Sequence, residues 1–283
     1  MKWMIRSLLI ITLALCAAQA LGAEGAEGVE IVPDVVYGHK HGMALTFDAY
    51  KPKQPNGTGV LFIVSGGWYS RWRPPEQTIE WFIPMLDKGF TVFAVRHGSS
   101  PKYAIPEIIE DVRRSVRFIR LRANDFGVAP DRLGVAGASA GGHLSLMLGT
   151  ASDKGNPNAK DEVLRVTDRV AAVVAYFPPT DLREWVNKTP DYPALNFEES
   201  RAADCSPLLH VTGDDPPTLL IHGDKDELVH IDHSNNILAE FKKHKVTSKL
   251  MVIKGAAHGF RGKDNKRASD AMVAWFEEHL LEH

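Results

Sequence analysis

Cysteine is nearly absent from this chain, which has two among its 283 residues, Cys16 and Cys205. The first lies in a segment that we expect to be removed on export, so the mature protein would have Cys205 alone and no internal disulfide. Its stability must therefore come from a buried core. No base near Cys205 in sequence could activate a thiolate, so we interpret it as a small buried thiol.

A membrane-spanning apolar run is lacking as well. Residues 1 to 23 have two basic residues, then an apolar run over residues 8 to 18, then small residues, which is the layout of a secretory signal peptide. The run is shorter than the roughly 18 residues of a spanning helix, which favours cleavage after Ala20 or Ala23 over retention as an anchor. We predict an exported protein, periplasmic or secreted, with one domain over residues 24 to 283.

An excess of charge of one sign is also lacking. The chain has 33 Lys and Arg against 35 Asp and Glu, and neither sign forms a long run. A surface that binds polyanions is not indicated, so nucleic acid is not an expected partner. Two histidine pairs, His39 with His41 and His230 with His233, offer no third convergent ligand, so no metal or other cofactor is predicted.

What the sequence does contain is a series of strand-like apolar runs that alternate with segments of helical periodicity. An antiparallel hairpin over residues 31 to 50 precedes an apolar run at residues 60 to 64, which is typical of a strand buried on both faces. The alternation then continues to the C-terminus, so we predict an α/β fold with a mostly parallel sheet of about eight strands and helices on both faces. Residues 178 to 215 break the rhythm and are interpreted as a small lid-like insertion over the C-terminal edge of the sheet.

A G-x-S-x-G motif at residues 137 to 141 follows an apolar strand and opens a helix of small residues. This is the context of a nucleophile elbow. Gly137 and Gly141 allow the close backbone approach that a sharp strand-to-helix turn requires, and the alanines between them leave Ser139 uncovered. We predict Ser139 as a nucleophile.

A serine nucleophile needs a base and a carboxylate that orients the base. His258 lies in a loop of small residues after the last predicted strand, and Asp224 and Asp226 follow an earlier strand end. We prefer Asp226, because Asp224 stands where the turn itself needs a carboxylate to accept backbone amides. The resulting order Ser139, Asp226, His258 is the one that folds of this architecture use.

Donors for a developing oxyanion are the remaining requirement. The amide of Ala140, directly after the nucleophile, is one candidate. A glycine pair in the loop after the first central strand offers the amides of Gly67 and Trp68 as others. A plain turn without this role is the alternative.

Together these motifs resemble the α/β-hydrolase superfamily, and within it the bacterial acetylxylan and feruloyl esterase-like (BD-FAE-like) and hormone-sensitive-lipase-like carboxylesterases. The resemblance covers about residues 30 to 280 and rests on the elbow with its following Gly-Gly-His, the Leu-Ile-His-Gly-Asp-x-Asp loop and the Ala-His-Gly-Phe loop. It implies a serine carboxylic-ester hydrolase that acts without a cofactor on acetyl or feruloyl-type esters of carbohydrate. Ser65 departs from the pattern, because it replaces the His of a His-Gly-Gly-Gly loop. Either Ser65 takes over the hydrogen bonds of that His, or the loop is rebuilt.

Further side chains could contact a substrate. An aromatic wall for an aryl or sugar group could be formed by Trp68, Tyr69, Trp72 and Trp185, or these residues could merely pack in the core or the insertion. Asp181 could shape the pocket or cap the next helix. His143 is interpreted as packing behind the elbow and His222 as a brace of its loop.

Two alternative functions stay open. Amide or peptide hydrolysis of the aminopeptidase or aryl-formamidase type uses a similar triad. A non-catalytic binding protein that retained the fold is the alternative from another class, and residues 65 to 68 blocking the space beside Ser139 would favour it.

Overall fold

The computed structural model describes residues 28 to 281. The predicted signal peptide, residues 1 to 23, lies outside the described residues, so its cleavage and the export of the protein stay predictions. Within the described range no helix has the length and hydropathy needed to span a bilayer.

One sheet of eight strands forms the centre of the molecule. The strands are Glu30–Lys40 (β1), Met43–Lys51 (β2), Gly59–Ile63 (β3), Thr91–Val95 (β4), Leu133–Ala138 (β5), Ala172–Tyr176 (β6), Thr218–Gly223 (β7) and Ser248–Ile253 (β8). Their spatial order is β1, β2, β4, β3, β5, β6, β7, β8. β2 pairs antiparallel with β1 and with β4, and all other neighbours are parallel. The predicted edge hairpin and mostly parallel sheet are confirmed.

Burial on both faces explains why the central strands are continuous apolar runs. In β3, Val60 packs into the core on one face of the sheet and Leu61 into the core on the other, and both are fully buried. Val135 and Ala136 alternate in the same way in β5. A polar side chain at such a position would lose its hydration on folding, so both faces of each strand must be apolar.

Helices cover the two faces. Those of the described residues are Pro75–Thr78 (α1), Ile83–Leu86 (α2), Ile105–Leu121 (α3), Ala140–Thr150 (α4), Asp232–Lys243 (α5) and Gly262–Leu280 (α6). Apolar side chains of α3, α4 and α5 share one core cluster, and those of α2 and α6 share the other. The two clusters lie on opposite faces of the sheet, which gives the three-layer arrangement that the sequence predicts.

The sequence pattern does not predict α1 and α2. Each is a single turn of four residues, with Pro75 or Pro84 in its first turn. A proline there loses no intrahelical hydrogen bond, because the first amides of a helix have no partner within it. Four residues are too few to display a helical period, so the segment resembles a loop in sequence.

The chain between β6 and β7 is the predicted insertion. Between residues 177 and 217 it forms only short turns, of which three are 3₁₀ turns: Pro193–Leu195, Glu199–Arg201 and Pro207–Leu209. Further 3₁₀ turns of the described chain are Ile79–Trp81, Ala123–Phe126 and Glu162–Arg165. Trp185, Thr189 and Tyr192 of the insertion line a cavity together with Ser139. The insertion therefore contributes side chains to the C-terminal edge of the sheet.

Candidate active site

Ser139 occupies the sharp turn between β5 and α4. Its backbone is in a sparsely populated region, with φ 55° and ψ −119°, and its amide donates to the carbonyl of Tyr176 at 2.9 Å. The turn brings backbone segments so close that a Cβ added at Gly137 would lie 2.4 Å from the carbonyl oxygen of Gly141. A Cβ at Gly141 would in turn lie 2.6 Å from the carbonyl oxygen of Ile63. Both motif glycines are therefore required by sterics.

Gly137→Ala is expected to lower the unfolding free energy by about 3 kcal/mol or more, because the opposing atoms belong to the backbone and cannot rotate away. Gly213→Ala is the matched control, since its Cβ would lie 3.4 Å from the carbonyl oxygen of His244, an ordinary contact. We expect the control to change the unfolding free energy by less than about 0.5 kcal/mol. Urea unfolding followed by circular dichroism measures both variants. Equal stability of the two would contradict the steric argument.

Three side chains predicted from the sequence meet at this turn. His258 Nε2 lies 2.9 Å from Ser139 Oγ, and His258 Nδ1 lies 2.8 Å from Asp226 Oδ2. The carboxylate can only accept, so Nδ1 has the proton and Nε2 presents its lone pair to the serine hydroxyl. The ring of Phe177 packs edge-on against the imidazole, with 4.6 Å between ring centroids. The geometry is that of a nucleophile, a base and an orienting carboxylate.

The carboxylate of Asp226 is held by its own loop. Its Oδ1 accepts the amides of Leu228 at 3.0 Å and Val229 at 2.9 Å, and the side chain is fully buried. His222 braces the same loop, with Nε2 2.8 Å from the carbonyl oxygen of Val229 and Nδ1 2.8 Å from Ser234 Oγ. Burial keeps the pKa of His222 below its usual value. The neutral ring fits the role of a brace that the sequence suggests.

Asp224, the alternative carboxylate, lies elsewhere in the turn. Its Oδ1 accepts the amide of Gly255, as expected of a carboxylate that satisfies local backbone donors. Of the two aspartates, Asp226 is the one in hydrogen-bond contact with His258.

The loop after β3 forms a tight turn beside Ser139. Gly66 and Tyr69 exchange two backbone hydrogen bonds of 3.0 Å, and Gly67 and Trp68 between them have positive φ angles of 57° and 61°. The amide of Gly66 is therefore occupied. Among the described residues the amides of Gly67 and Trp68 have no acceptor, and the amide of Ala140 at the start of α4 has no partner within its helix. These three amides are the predicted oxyanion donors.

The loop is rebuilt around Ser70 and Trp68 rather than braced by Ser65. Within the described part of the chain Ser65 Oγ is buried without a hydrogen-bond partner. Ser70 Oγ instead donates to the carbonyl of Val64 at 2.6 Å, and the amide of Ser70 donates to Ser99 Oγ at 3.0 Å. Of the two alternatives that Ser65 left open, the structure supports the second.

His143 links the loop after β3 (residues 65 to 70), which we call the oxyanion loop, to the insertion. The ring is fully buried behind the elbow, with Nε2 2.8 Å from the carbonyl oxygen of Cys205 and Nδ1 3.3 Å from the indole Nε1 of Trp68. The carbonyl requires a proton on Nε2, so Nδ1 accepts from the indole. This bond and its burial hold Trp68 in a left-handed conformation that a bulky residue rarely adopts. Cys205 itself is buried, which raises the pKa of its thiol to about 12.

Burial lowers the pKa of His143 to about 4, whereas histidine in an unfolded chain titrates near about 6.5. Between these values the unfolded chain binds a proton that the folded chain does not. The unfolding free energy should therefore fall as the pH falls from 6.5 to 4, by up to about 1.4 kcal/mol per pH unit for this group. Urea unfolding of the protein and of His143→Gln at several pH values in this window measures the effect. We expect the variant to be less stable at pH 7 but to lose less stability on acidification, and parallel curves would contradict this.

A cavity of about 550 Å³ opens beside Ser139, and we call it the Ser139 cavity. Its lining comprises residues at or after the ends of β3, β5, β6, β7 and β8 and part of the insertion: Ser65, Gly66, Gly67, Trp68, Ala138, Ser139, Phe177, Pro179, Trp185, Thr189, Tyr192, Leu228, Val229 and His258. Residues 65 to 68 line this space and do not fill it.

Of the predicted aromatic wall, Trp68 and Trp185 line the Ser139 cavity, whereas Trp72 is 56% exposed and does not. Tyr69 lines a neighbouring cavity that shares Ser65, Gly66 and Ala138 with it. Asp181 lies outside both linings, because its carboxylate is held by Arg183, with 2.7 Å between Oδ2 and the guanidinium Nη2. Nor does Asp181 cap a helix, since its Oδ1 accepts the amide of Arg183 in a turn. Both roles considered for Asp181 are corrected.

Sequence reasoning missed several residues that line the cavity. Tyr192 packs edge-on against Trp68, with 6.3 Å between ring centroids, and Leu228 and Val229 follow Asp226 in its loop. Leu228 and Val229 could have been predicted from the sequence, because they follow the candidate catalytic residue Asp226 by two and three positions. Among residues 28 to 281 no group of three or more His, Cys, Asp or Glu side chains converges as a metal site would require.

Comparison with known proteins agrees with the fold. The BD-FAE family matches residues 47–241. The chain is 25% identical over 267 residues to the probable carboxylic ester hydrolase LipM of Mycobacterium tuberculosis, a match that covers 88% of this chain and 60% of LipM. It is 27% identical to the esterase LipC of the same organism over 82% of this chain and 60% of LipC. The chain thus spans about 60% of the length of these curated relatives.

Solved structures show the same fold. A truncated carbohydrate esterase from gut microbiota superposes with a TM-score of 0.76 at 24% identity, over 90% of this chain and 98% of the other. At such identities the likeness establishes the fold alone. Because the family match covers more than half of the chain, this protein belongs to the BD-FAE family and has the α/β-hydrolase fold that its motifs predict.

Proposed function

We propose that this protein is a serine carboxylic-ester hydrolase that works through an acyl-enzyme on Ser139. The observation that carries the proposal is the hydrogen-bonded series from Asp226 through His258 to Ser139, which ends at a cavity of about 550 Å³. The similarity to LipM, a probable carboxylic ester hydrolase, and to the esterase LipC supports the same class of reaction.

In the first half-reaction Ser139 Oγ attacks the ester carbonyl carbon while His258 Nε2 takes the hydroxyl proton. Asp226 stabilises the imidazolium and keeps its Nδ1–H directed at the carboxylate. The carbonyl oxygen gains negative charge, which the amides of Gly67, Trp68 and Ala140 stabilise. His258 then gives its proton to the leaving alkoxide as the bond between the carbonyl carbon and the alcohol oxygen breaks.

In the second half-reaction water attacks the acyl-enzyme. His258 Nε2 takes a proton from the water and returns it to Ser139 Oγ as the acyl–serine bond breaks, which releases the acid. All proton transfers pass through one nitrogen, so the chemistry depends on the tautomer that Asp226 imposes.

Acetyl or feruloyl-type esters of carbohydrate are the proposed substrate class. Trp185, Tyr192 and Leu228 give the Ser139 cavity a largely apolar wall that can cover an aromatic or sugar ring. The names of structural neighbours, a carbohydrate esterase and an acetyl ester-xyloside bifunctional hydrolase from Caldicellulosiruptor lactoaceticus, support this choice.

The test compares 4-nitrophenyl acetate, butyrate and ferulate with an aminoacyl 4-nitroanilide, using the mature protein. In parallel the protein is treated with a fluorophosphonate, and the modified peptide is identified by mass spectrometry. We expect ester turnover well above anilide turnover and a single adduct on Ser139.

Preferred turnover of the anilide would replace the proposal with amide hydrolysis. An adduct on another serine would remove Ser139 as the nucleophile. Neither turnover nor adduct would favour a non-catalytic binding protein.

A further inference from the structure

A second cavity, of about 400 Å³, adjoins the Ser139 cavity. The two share Ser65, Gly66 and Ala138, so they meet at the oxyanion loop and at the residue before the nucleophile. Tyr69, Arg71, Arg73 and Trp81 line its outer part, and we call it the arginine cavity. Its volume is in the range of about 300–1,000 Å³ that is usual for small-molecule sites.

Arg71 and Arg73 reach the cavity because of the local chain geometry. Residues 71 to 73 are in neither helix nor strand and belong to the segment that connects β3 to α1. Both arginines line the cavity, whereas Trp72 between them does not and is 56% exposed. The sequence Arg-Trp-Arg therefore places two guanidinium groups together.

The two guanidinium groups have no carboxylate partner. Within the described residues neither Arg71 nor Arg73 forms an ion pair or a side-chain hydrogen bond. Their recorded contacts are with aromatic rings: Arg71 lies 5.9 Å from the ring centroid of Tyr69, and Arg73 lies 5.6 Å from that of Trp81. Stacking of this kind orients a guanidinium and leaves its N–H groups free to donate.

The other charged side chains that line the cavity are held in ion pairs. Asp48 is a lining carboxylate and Arg96 a lining guanidinium, and both are buried. They form a direct ion pair, and Arg96 also contacts Asp34 at 2.8 Å. Arg71 and Arg73 therefore leave the arginine cavity with an uncompensated positive charge.

We propose that the arginine cavity binds a ring that bears a carboxylate, such as an acidic sugar or an aromatic acid, as one arm of the ester cleaved at Ser139. This inference rests on the proposed ester hydrolysis, because it assigns a substrate class to the same site. Tyr69 and Trp81 line the cavity and can contact the bound ring, and the two guanidinium groups donate to the carboxylate. The shared residues Ser65, Gly66 and Ala138 let one substrate extend from one cavity into the other.

Two pairs of probes distinguish the alcohol arm from the acyl arm. The alcohol pair is 4-acetoxybenzoate and its neutral analogue 4-acetoxybenzamide. The acyl pair is the 4-nitrophenyl ester of 4-carboxybenzoic acid and that of 4-carbamoylbenzoic acid. For each pair the measured quantity is the ratio of kcat/KM for the acid to kcat/KM for the amide.

In one of the two pairs we expect Arg71→Gln and Arg73→Gln each to lower this ratio about threefold, and the double variant to lower it about tenfold. The kcat/KM for the neutral amide should stay within about twofold. Arg201→Gln is the matched control, since Arg201 is exposed on the insertion, lines neither the arginine cavity nor the Ser139 cavity, and its replacement removes the same charge. It should leave the ratio unchanged. Salt should lower the ratio in the unmodified protein more than in the double variant.

If the arginine variants leave the ratio unchanged in both pairs, the proposal is wrong. Hydrolysis of the neutral probes would still support the proposed ester hydrolysis in that case. An equal fall with Arg201→Gln would also overturn it, because the effect would then come from the overall charge. If no probe is hydrolysed, calorimetric binding of 4-hydroxybenzoate and 4-hydroxybenzamide decides. Tighter binding of the acid than of the amide, lost in the double variant, would support the proposed binding site. Equal binding of the two compounds to the unmodified protein would contradict it.

Discussion

Ser139→Ala is expected to lower kcat for 4-nitrophenyl acetate by about 10⁵–10⁶-fold, the range seen when a triad nucleophile is removed. Ser139 Oγ has one hydrogen bond in the described structure, to His258. Alanine keeps the Cβ and therefore the same backbone strain, so we expect the unfolding free energy to stay within about 1 kcal/mol. Initial rates and urea unfolding measure the two effects separately.

Ser65→Ala is the matched control for this experiment. It makes the same chemical change on the lining of the same cavity, and Ser65 Oγ has no hydrogen-bond partner among the described residues. We expect kcat to change by less than about tenfold, because removing one hydroxyl group without a hydrogen-bond partner should cost about 1.4 kcal/mol or less. Substantial activity in Ser139→Ala, or an equal loss in both variants, would contradict the assignment of Ser139 as the nucleophile.

Asp226→Asn is expected to lower kcat by about 10⁴-fold, because it reverses the tautomer of His258. Oδ1 of residue 226 accepts the amides of Leu228 and Val229, so an asparagine must place its carbonyl oxygen there. Its NH₂ group then faces His258 Nδ1, which has to accept. The proton of the neutral imidazole moves to Nε2, and the ring can no longer take the proton of Ser139.

Asp224→Asn is the control, two residues away in the same turn. Its Oδ1 accepts the amide of Gly255, and an asparagine oxygen can do the same. We expect the activity to fall less than fivefold, with unchanged dependence on pH. If Asp224→Asn were the more damaging change, Asp224 would be the orienting carboxylate and the contact between Asp226 and His258 would have another role.

The elbow could be predicted from the sequence because its requirements are local. Gly137, Ser139 and Gly141 lie within five residues, and a clash between neighbours in one turn determines where glycine must stand. The positions of Asp226 and His258 could be predicted for a related reason. Both follow strand ends, and the carboxyl ends of parallel strands meet at one edge of a sheet.

The oxyanion loop and the substrate walls could not be predicted in the same way. The bond between Trp68 and His143 joins residues 75 positions apart, and Tyr192 reaches the site from an insertion without helical or strand period. Asp181 failed as a pocket residue because the neighbouring Arg183 binds its carboxylate. The contacts of Trp68 and Tyr192 depend on which side chains the fold brings together, and no spacing in the sequence records them, whereas the contact between Asp181 and Arg183 is local in sequence.

By itself, the sequence determined the α/β architecture and the positions of Ser139, Asp226 and His258 at the ends of strands, because apolar periodicity and glycine sterics act over a few residues. Only the tertiary structure decided how the oxyanion loop is braced and which aromatic rings line the cavity beside Ser139. It also decided that Arg71 and Arg73 stand without a carboxylate while Arg96 is paired with Asp48. The physical reason is that hydrogen bonds, ring contacts and ion pairs depend on distance in space, which for these residues only the packing of the sheet, the helices and the insertion sets.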